Sequence, residues 1–94
     1  MNIGKTIKEI RESKKIKQKE LSEFCSLTVS YLSQIENNKK DPSISVLRKI
    51  SNILEIPLPI IFFMSLDETD IPGSKKEFYK MIHPSLNGLL KEFF

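Results

Sequence analysis

The sequence holds few of the residues on which disulfides, metal centres and phosphate-binding loops depend. Its 94 residues include one cysteine, one histidine and three glycines. A single cysteine cannot form an internal disulfide, which agrees with a reducing cytosol. One histidine and one cysteine cannot supply the ligands of a metal site, and the isolated glycines form no phosphate loop. We therefore expect no metal and no other cofactor.

Long apolar runs and catalytic residue sets are also missing. The first five residues lack the apolar stretch of a secretory signal, and the apolar run 57–64 is far below the ~20 residues that span a bilayer. No carboxylate pair and no nucleophile beside a base is present. These absences exclude the usual enzyme classes and predict a soluble, cytoplasmic protein without a membrane partner.

The charge is mild in total but unevenly spread. The net charge is +3; residues 1–63 hold 11 Lys and Arg against 7 Asp and Glu, whereas residues 64–94 hold 4 against 5. A basic N-terminal part suits a surface that faces phosphate, although solvated lysines on helices are also common. The length predicts one domain, residues 1–66, with a short appendage at 67–94.

Apolar residues at helical period predict five helices before residue 66. Ser26 is small and polar where the chain must turn, Thr28 has the hydroxyl of a helix N-cap, and Ser43 is a second cap. The stripes predicted to be buried include Leu21, Phe24 and Cys25, then Leu32 and Ile35, then Ile44, Leu47, Ile50 and Leu54. The predicted helices run from about Ile3 to Ser13, from Gln18 to the turn, from Val29 to Asn37, from Ile44 to Leu54 and from Leu58 to Phe63.

The third of these helices buries one face and offers Thr, Ser and Gln at its N-terminal end, which suits the DNA major groove. The segments Q-x-x-L-S-x-x-C-S-L-x-x-S-Y-L-S-x-I-E-N (18–37) and P-S-I-x-x-L-x-K-I (42–50) resemble the lambda-repressor/Cro-like, XRE-type helix-turn-helix class. Within it they are closest to SinR-like regulators or to restriction-modification controller proteins. The resemblance covers residues 3–63 and implies an all-α, five-helix DNA-binding domain followed by a short C-terminal helical tail.

The resemblance also implies roles for individual residues. It places an ion pair between Arg11 and Glu36. Relatives read base edges or the adjoining backbone with residues that match Thr28, Val29, Ser30, Ser33 and Gln34. They contact the DNA backbone with residues that match Gln18 and Asn37, and with the loop that here contains Lys39, Lys40 and Ser43.

Two positions depart from the family pattern. Lys17 stands where relatives have Ser or Thr and cannot cap the second helix, although Glu20 can reach back to a free backbone N–H. Ser26 replaces the usual glycine of the turn. If Ser26 is left-handed, it costs about 1 to 2 kcal/mol relative to glycine.

The residues after 66 predict a linker, 67–74, and a helical hairpin. Phe78, Met81 and Ile82 form one stripe, and His83-Pro84-Ser85 is expected to open a second helix. Its apolar face and that of the fifth helix exceed what one small domain can bury. We expect a surface shared with a second copy, rather than packing within the chain, formed by Ile61, Phe62, Leu86, Leu89, Leu90 and Phe93.

The leading functional hypothesis is a transcriptional regulator, a repressor that binds double-stranded DNA as a homodimer on a palindromic operator. A second hypothesis is an antitoxin or other protein-interaction module, whose tail binds a toxin or antagonist protein and whose DNA binding is autoregulatory. An enzyme is the third class, and nothing in the sequence supports it. The alternative to the family resemblance itself is a small helical bundle with a chance polar helix end.

Overall fold

All regular secondary structure of the chain is helical in its computed structural model, which describes residues 1–94. The predicted all-α class is therefore confirmed. None of the helices is long and apolar enough to cross a bilayer. Six α-helices are present: α1 (Ile3–Ser13), α2 (Gln18–Phe24), α3 (Val29–Glu36), α4 (Ile44–Leu54), α5 (Leu58–Met64) and α6 (Lys76–Leu90). Short 3-10 segments cover Glu68–Asp70, Gly73–Lys75 and Lys91–Phe93.

The helices begin where the sequence supplies caps. Thr28 Oγ1 accepts the N–H of Tyr31 at 3.0 Å, and Ser43 Oγ accepts that of Val46 at 3.2 Å. Lys17 makes no side-chain cap, as predicted, and its own N–H donates to the Glu20 carboxylate at 3.0 Å. Side-chain groups close in sequence thus satisfy free N–H groups at the starts of α2, α3 and α4.

The C-terminal ends of α1 to α4 share one geometry built on a left-handed residue. Lys15, Ser26, Asn38 and Glu55 have φ values of 57°, 56°, 58° and 59°. At each end the following N–H bonds back to a carbonyl five residues earlier, as Leu27 N does to Ser22 O at 2.8 Å. This is the Schellman arrangement that usually employs glycine. Ser26 is therefore left-handed, and the strain considered for it applies.

Eleven buried apolar side chains from α1 to α5, and from the Glu55–Pro57 link, form a single core. Cys25 is among them, and burial raises the pKa of its thiol, which keeps it protonated and structural. The core consists of Ile7, Ile10, Leu21, Cys25, Leu32, Ile35, Leu47, Ile50, Leu54, Ile56 and Ile61.

Two residues predicted to be buried are not. Phe24 is 67% exposed because the buried side of α2 is completed by Ser22 instead. Ile44 is 51% exposed. Ile44 is the first residue of α4. The periodic pattern places it on the apolar face of the helix, but no neighbouring element covers this end of that face.

The tail departs from the predicted hairpin. α6 runs unbroken from Lys76 to Leu90 with Pro84 inside it. Pro84 lacks an N–H to donate and its ring crowds the carbonyl of the preceding turn, but its φ is compatible with a helix, and α6 continues through it. His83 is consequently a mid-helix residue rather than a helix start; its ring packs on Tyr79 with centroids 5.0 Å apart. The Tyr79 hydroxyl donates to Leu66 O at 3.0 Å and ties α6 to the end of α5.

Candidate nucleic-acid interface

The turn between α2 and α3 sets the angle at which α3 is presented. Ser26 N donates to Glu23 O at 3.1 Å, and Leu27 N donates to Ser22 O, which ends α2. Leu27 is half-buried and packs against the core, while Thr28 starts α3 with its hydroxyl. Both sides of the turn are therefore hydrogen-bonded, and the two helices form one rigid unit.

One side of α3 is fully committed to the core. Leu32 and Ile35 are buried, Tyr31 is half-buried against the same cluster, and Glu36 is buried as well. The opposite side is open. Placed at about 100° per residue, the accessible residues fall within a single arc of roughly 140°. In order around the helix, this arc, here called the α3 face, consists of Val29, Ser33, Asn37, Ser30 and Gln34.

The α3 face gathers most of the residues that the resemblance implied for base reading. Val29 and Ser30 are exposed, and Ser33 and Gln34 are half-exposed. Thr28 is exposed at the N-terminal end of the helix, where its Oγ1 accepts a backbone N–H and its hydroxyl hydrogen stays available to donate. Short hydroxyls and one amide offer both donors and acceptors along a strip that is narrow enough to enter a groove.

Glu36 lies behind this face and is the centre of a hydrogen-bond network. Arg11 donates from Nε to Oε2 at 2.7 Å and from Nη2 to Oε1 at 3.0 Å. Gln18 Nε2 adds a third bond to Oε1 at 3.1 Å. The predicted Arg11–Glu36 contact is present and buried, with side chains 10% and 1% exposed. The network joins α1, α2 and α3 at one point.

Of the residues predicted for backbone contacts, Asn37 belongs to the α3 face and the others lie outside it. Asn37 is exposed, and its Nδ2 donates to Ser33 Oγ at 3.4 Å. Lys39 and Lys40 are exposed in the loop that follows, and neither forms an ion pair. Ser43 is exposed, but its hydroxyl already caps α4. Gln18 differs from the others because it is half-buried and one of its amide hydrogens is held by Glu36.

The electrostatics of this surface are one-sided. Between residues 28 and 40 the only acidic side chain is Glu36, which is buried and paired. The Glu36 carboxylate raises the pKa of Arg11, mainly through their hydrogen bonds, which keeps the guanidinium charged beside it. Apart from the exposed Val29 side chain, the side-chain groups that reach solvent here are mainly hydroxyl, amide and ammonium groups, a set suited to an anionic partner.

Two contacts were missed by the sequence reasoning. The Gln18–Glu36 bond joins positions 18 residues apart, and nothing local signals it. Asn38 was read only as part of a polar loop, yet it is left-handed and its side chain bonds to the start of α1. Its signal was the asparagine directly after a helix end, since asparagine tolerates the left-handed region better than most residues.

A second surface, on the tail, differs from the expected one. Ile61 is 1% exposed and belongs to the core, so it is removed from the expected shared surface; Phe62 is half-buried against that core. Leu86 and Leu90 are half-buried, whereas Leu89 is 69% exposed. The large apolar side chains that are open here, called the tail surface below, are Phe63, Phe78, Met81, Leu89, Phe93 and Phe94.

The fold and the α2-turn-α3 unit define a helix-turn-helix protein. A family model described as "Helix-turn-helix" matches residues 7–61, which cover α2, α3, α4 and most of α1 and α5. The chain therefore belongs to the XRE-type helix-turn-helix family of transcriptional regulators.

Named relatives agree with this assignment. The chain is 31% identical over 97 residues to the immunity repressor protein of Bacillus phage phi105, covering 90% of this chain and 67% of the repressor. It is 33% identical over 95 residues to the HTH-type transcriptional regulator SinR of Bacillus subtilis, covering 98% and 85%. SinR of Bacillus licheniformis is 38% identical over 72 residues, covering 76% of this chain and 64% of that regulator.

Proposed function

We propose that this chain is a sequence-specific regulator of transcription, a repressor, that binds double-stranded DNA with α3 in the major groove. The main support is the α3 face, an exposed polar arc on a helix whose other side is locked into the core and the Glu36 network. Family membership points the same way. A helix with this division can present its polar face to the groove while its buried side keeps its place in the domain.

Base reading is assigned to the N-terminal two turns of α3 and its cap. Gln34 can pair bidentately with adenine, Ser30, Ser33 and Thr28 can bond to either base type, and Val29 can contact a thymine methyl. No arginine is present in α3, so the commonest strong contact to guanine is missing. We expect modest affinity for each half-site, with a contribution from DNA shape.

Contacts to the DNA backbone are assigned to residues at both ends of the α3 face. Gln18 keeps one amide hydrogen free after bonding to Glu36, and that hydrogen can donate to a phosphate oxygen. Lys39 and Lys40 supply positive charge, with Asn37 and Ser43 as neutral donors beside them. These contacts would fix the register of α3 without carrying sequence information.

Homodimerisation is proposed to supply the remaining affinity. Residues 1–66 would form the DNA-binding domain, and residues 67–94 would pair two copies through the tail surface. A monomer would leave these large side chains in water, whereas a two-fold dimer buries the same patch on both copies. A symmetric dimer can place two α3 helices about 34 Å apart, one turn of DNA, and so read a palindrome.

A protein-interaction role is the second candidate, and the groove beside α6 favours it. Between α5, residues 66–72 and α6 lies a cavity of about 280 Å³ with mostly apolar walls. An antitoxin or an antagonist-controlled regulator would use such a groove for a protein partner, and DNA binding would then be autoregulatory. The groove is lined by Phe63, Leu66, Ile71, Pro72, Lys75, Phe78, Tyr79, Ile82, His83, Leu86 and Asn87.

The test is selection of bound duplexes from a random DNA pool with the full chain. The proposal predicts enrichment of an inverted repeat whose half-sites are centred about one helical turn apart. Binding to that duplex should exceed binding to a scrambled duplex of equal composition. Enrichment of no sequence, with equal salt-dependent binding to all duplexes, would contradict sequence-specific regulation.

A further inference from the structure

Asn38 occupies the point at which α3 gives way to the loop that carries Lys39 and Lys40. Its backbone is left-handed, with φ 58°. Asn38 N donates to Ile35 O at 3.0 Å, and Lys39 N donates to Gln34 O at 2.8 Å. The direction in which the loop leaves α3 is therefore set at this residue.

The Asn38 side chain reaches across to the start of α1. Its Oδ1 accepts the N–H of Gly4 at 3.2 Å, and its Nδ2 donates to Asn2 Oδ1 at 2.6 Å. Gly4 permits this approach, because a Cβ there would lie 2.1 Å from Ile35 O and 2.6 Å from Asn38 Oδ1. The two bonds from Asn38 are called the Asn38 clasp below.

The acceptor of the clasp is itself held in place. Asn2 N donates to Ser65 O at 2.9 Å, at the end of α5, and Asn2 O accepts the N–H of Thr6 at 3.2 Å. Asn2 Oδ1 also accepts the N–H of Lys5, which makes Asn2 the N-cap of α1. The clasp therefore joins the loop to a fixed point on two other helices.

Two backbone bonds also restrain the start of the loop, from Lys39 N at 2.8 Å and from Lys40 N at 3.3 Å to Gln34 O, but no side-chain bond other than the clasp ties the loop to a helix other than α3 and α4. The other side-chain hydrogen bonds between residues 37 and 43 are local: Asn37 bonds to Ser33, and Ser43 bonds to Ser45 and Val46. Between the loop and the start of α1 lies a cavity of about 190 Å³, which Asn38, Lys40, Asp41 and Gly4 help to line. The Asn38 clasp spans this space, where close packing is absent.

We propose that Asn38 is a positioning residue, which holds the loop so that Lys39 and Lys40 meet the DNA backbone, and that it reads no base. The inference rests on the proposed DNA-binding function. Glycine would satisfy the left-handed backbone with less strain. Asparagine provides the same conformation together with an amide that can accept from Gly4 and donate to Asn2 at once.

The test is Asn38→Gly in the full chain, which keeps the left-handed turn and removes only the clasp. Binding is measured on a duplex enriched from a random pool and on its scrambled control at several salt concentrations. We expect both affinities to fall together, by roughly tenfold at low salt, and the salt slope to drop by about one phosphate contact. Glu55→Gly is the matched control, since it makes the same backbone change at the end of α4 and should leave the salt slope unchanged.

A second readout does not depend on DNA. Amide relaxation in the free protein should show residues 39–41 as rigid as α3 in the wild type and mobile in Asn38→Gly, with the Gly4 amide exchanging faster. Wild-type affinity and salt slope in Asn38→Gly would overturn the inference, as would a loss confined to the enriched duplex. If the wild type binds neither duplex, the proposed function fails, while the relaxation data still decide whether the clasp orders the loop.

Discussion

The guanidinium of Arg11 and the carboxylate of Glu36 form a two-bond pair that joins α1 to α3 behind the α3 face, with N–O distances of 2.7 and 3.0 Å. Arg11 also donates from Nη1 to Ile16 O at 2.9 Å, which holds the chain between α1 and α2. No buried side-chain polar atom in the protein lacks a partner. The pair therefore sets the position of α3 without leaving a charge unmatched.

Breaking this pair should be costly. Arg11→Ala leaves the Glu36 carboxylate buried without its counter-ion, and we expect a loss of about 3 to 5 kcal/mol in the free energy of unfolding. Arg11→Met combined with Glu36→Leu should cost less than either single change, because no charge is then left unpaired. Chemical denaturation measures both.

Lys5→Ala, which removes an exposed 3.9 Å contact to Glu9, is the control and should change stability by no more than about 1 kcal/mol. An Arg11→Ala protein as stable as this control would contradict a structural role for the pair.

Because the residue that follows the end of α1 is left-handed, substitution by glycine should stabilise the protein at that residue and destabilise it within the helix. Lys15→Gly relieves the strain of a positive φ and should raise the free energy of unfolding by about 0.5 to 1 kcal/mol. Lys8→Gly, in the middle of α1, should lower it by about 1 kcal/mol. Each change removes one exposed lysine, so the difference between the two variants in thermal unfolding reports the backbone effect alone. Equal effects of the two changes would show that φ at Lys15 carries no strain.

The helix limits could be predicted because they depend on neighbours in sequence. The predicted starts of α1, α2, α3, α4 and α5 agree with the structure, since hydroxyl or carboxylate caps and apolar periodicity both act within one turn of helix. The buried Arg11–Glu36 pair was also expected, although only through the family resemblance.

Most of the wrong predictions concern residues whose burial depends on packing between elements that are distant in sequence. Periodicity marked Phe24 and Ile44 as apolar positions, but it could not say which flank of the stripe a neighbouring helix covers. Ile61 looked like surplus apolar surface because the size of the core was unknown from sequence. Pro84 suggests a helix start, whereas α6 continues through it in spite of the lost hydrogen bond and the crowding of its ring against the preceding turn. The Asn38 clasp and the Gln18–Glu36 bond depend on tertiary proximity alone.

Dimerisation through the tail surface can be tested by introducing one charged side chain into that surface. Leu89 is 69% exposed, so Leu89→Asp should leave the fold of the subunit intact. If two copies pair there, a buried carboxylate in each should convert the dimer to monomer and weaken operator binding. Sedimentation equilibrium reports the mass. Lys91→Asp, an exposed change about 160° away around the helix, should leave the dimer intact. A wild-type protein that is monomeric at tens of micromolar would refute the pairing.

The contact between the Met1 amino group and Asp70 predicts a pH window. The nitrogen donates to Asp70 Oδ1 at 2.9 Å and to Asp67 Oδ2 at 3.3 Å; the bond to Asp70, with a further contribution from Asp67, raises the pKa of the amino group above 8.0. The contact is then complete below pH 8.0 and is lost as pH rises through the raised value. The same bond lowers the pKa of Asp70 below 3.8, so the contact is complete above pH 3.8 and is lost as pH falls through the lowered value.

Amide chemical shifts of Thr69 and Asp70 should therefore stay constant between about pH 4 and pH 8 and move at both extremes. The high-pH movement should disappear or shift towards pH 8 in Asp70→Asn, which loses the charge that holds the amino group. An unchanged high-pH titration in Asp70→Asn would show that Asp70 does not hold the amino group.

Substitutions in α3 should affect sequence specificity, whereas substitutions in the loop after it should affect affinity for DNA of any sequence. Ser33 and Gln34 lie on the α3 face, whereas Lys40 lies beyond the helix end. Gln34→Ala or Ser33→Ala should cost about 1 to 3 kcal/mol on the enriched duplex and relax the preference at one base pair in each half-site. Lys40→Ala should weaken all duplexes alike and lower the salt slope by about one.

Binding isotherms on the enriched and scrambled duplexes at several salt concentrations distinguish the two effects. Ser74→Ala is the control for loss of a hydroxyl, because Ser74 is exposed in the Gly73–Lys75 segment and outside the assigned contacts. The comparison bears directly on mechanism: base contacts change the ratio of the two affinities, and phosphate contacts change both affinities and leave the ratio intact. If Gln34→Ala and Ser33→Ala weaken both duplexes equally, α3 does not read the operator, and the specificity must lie in another element or in DNA shape.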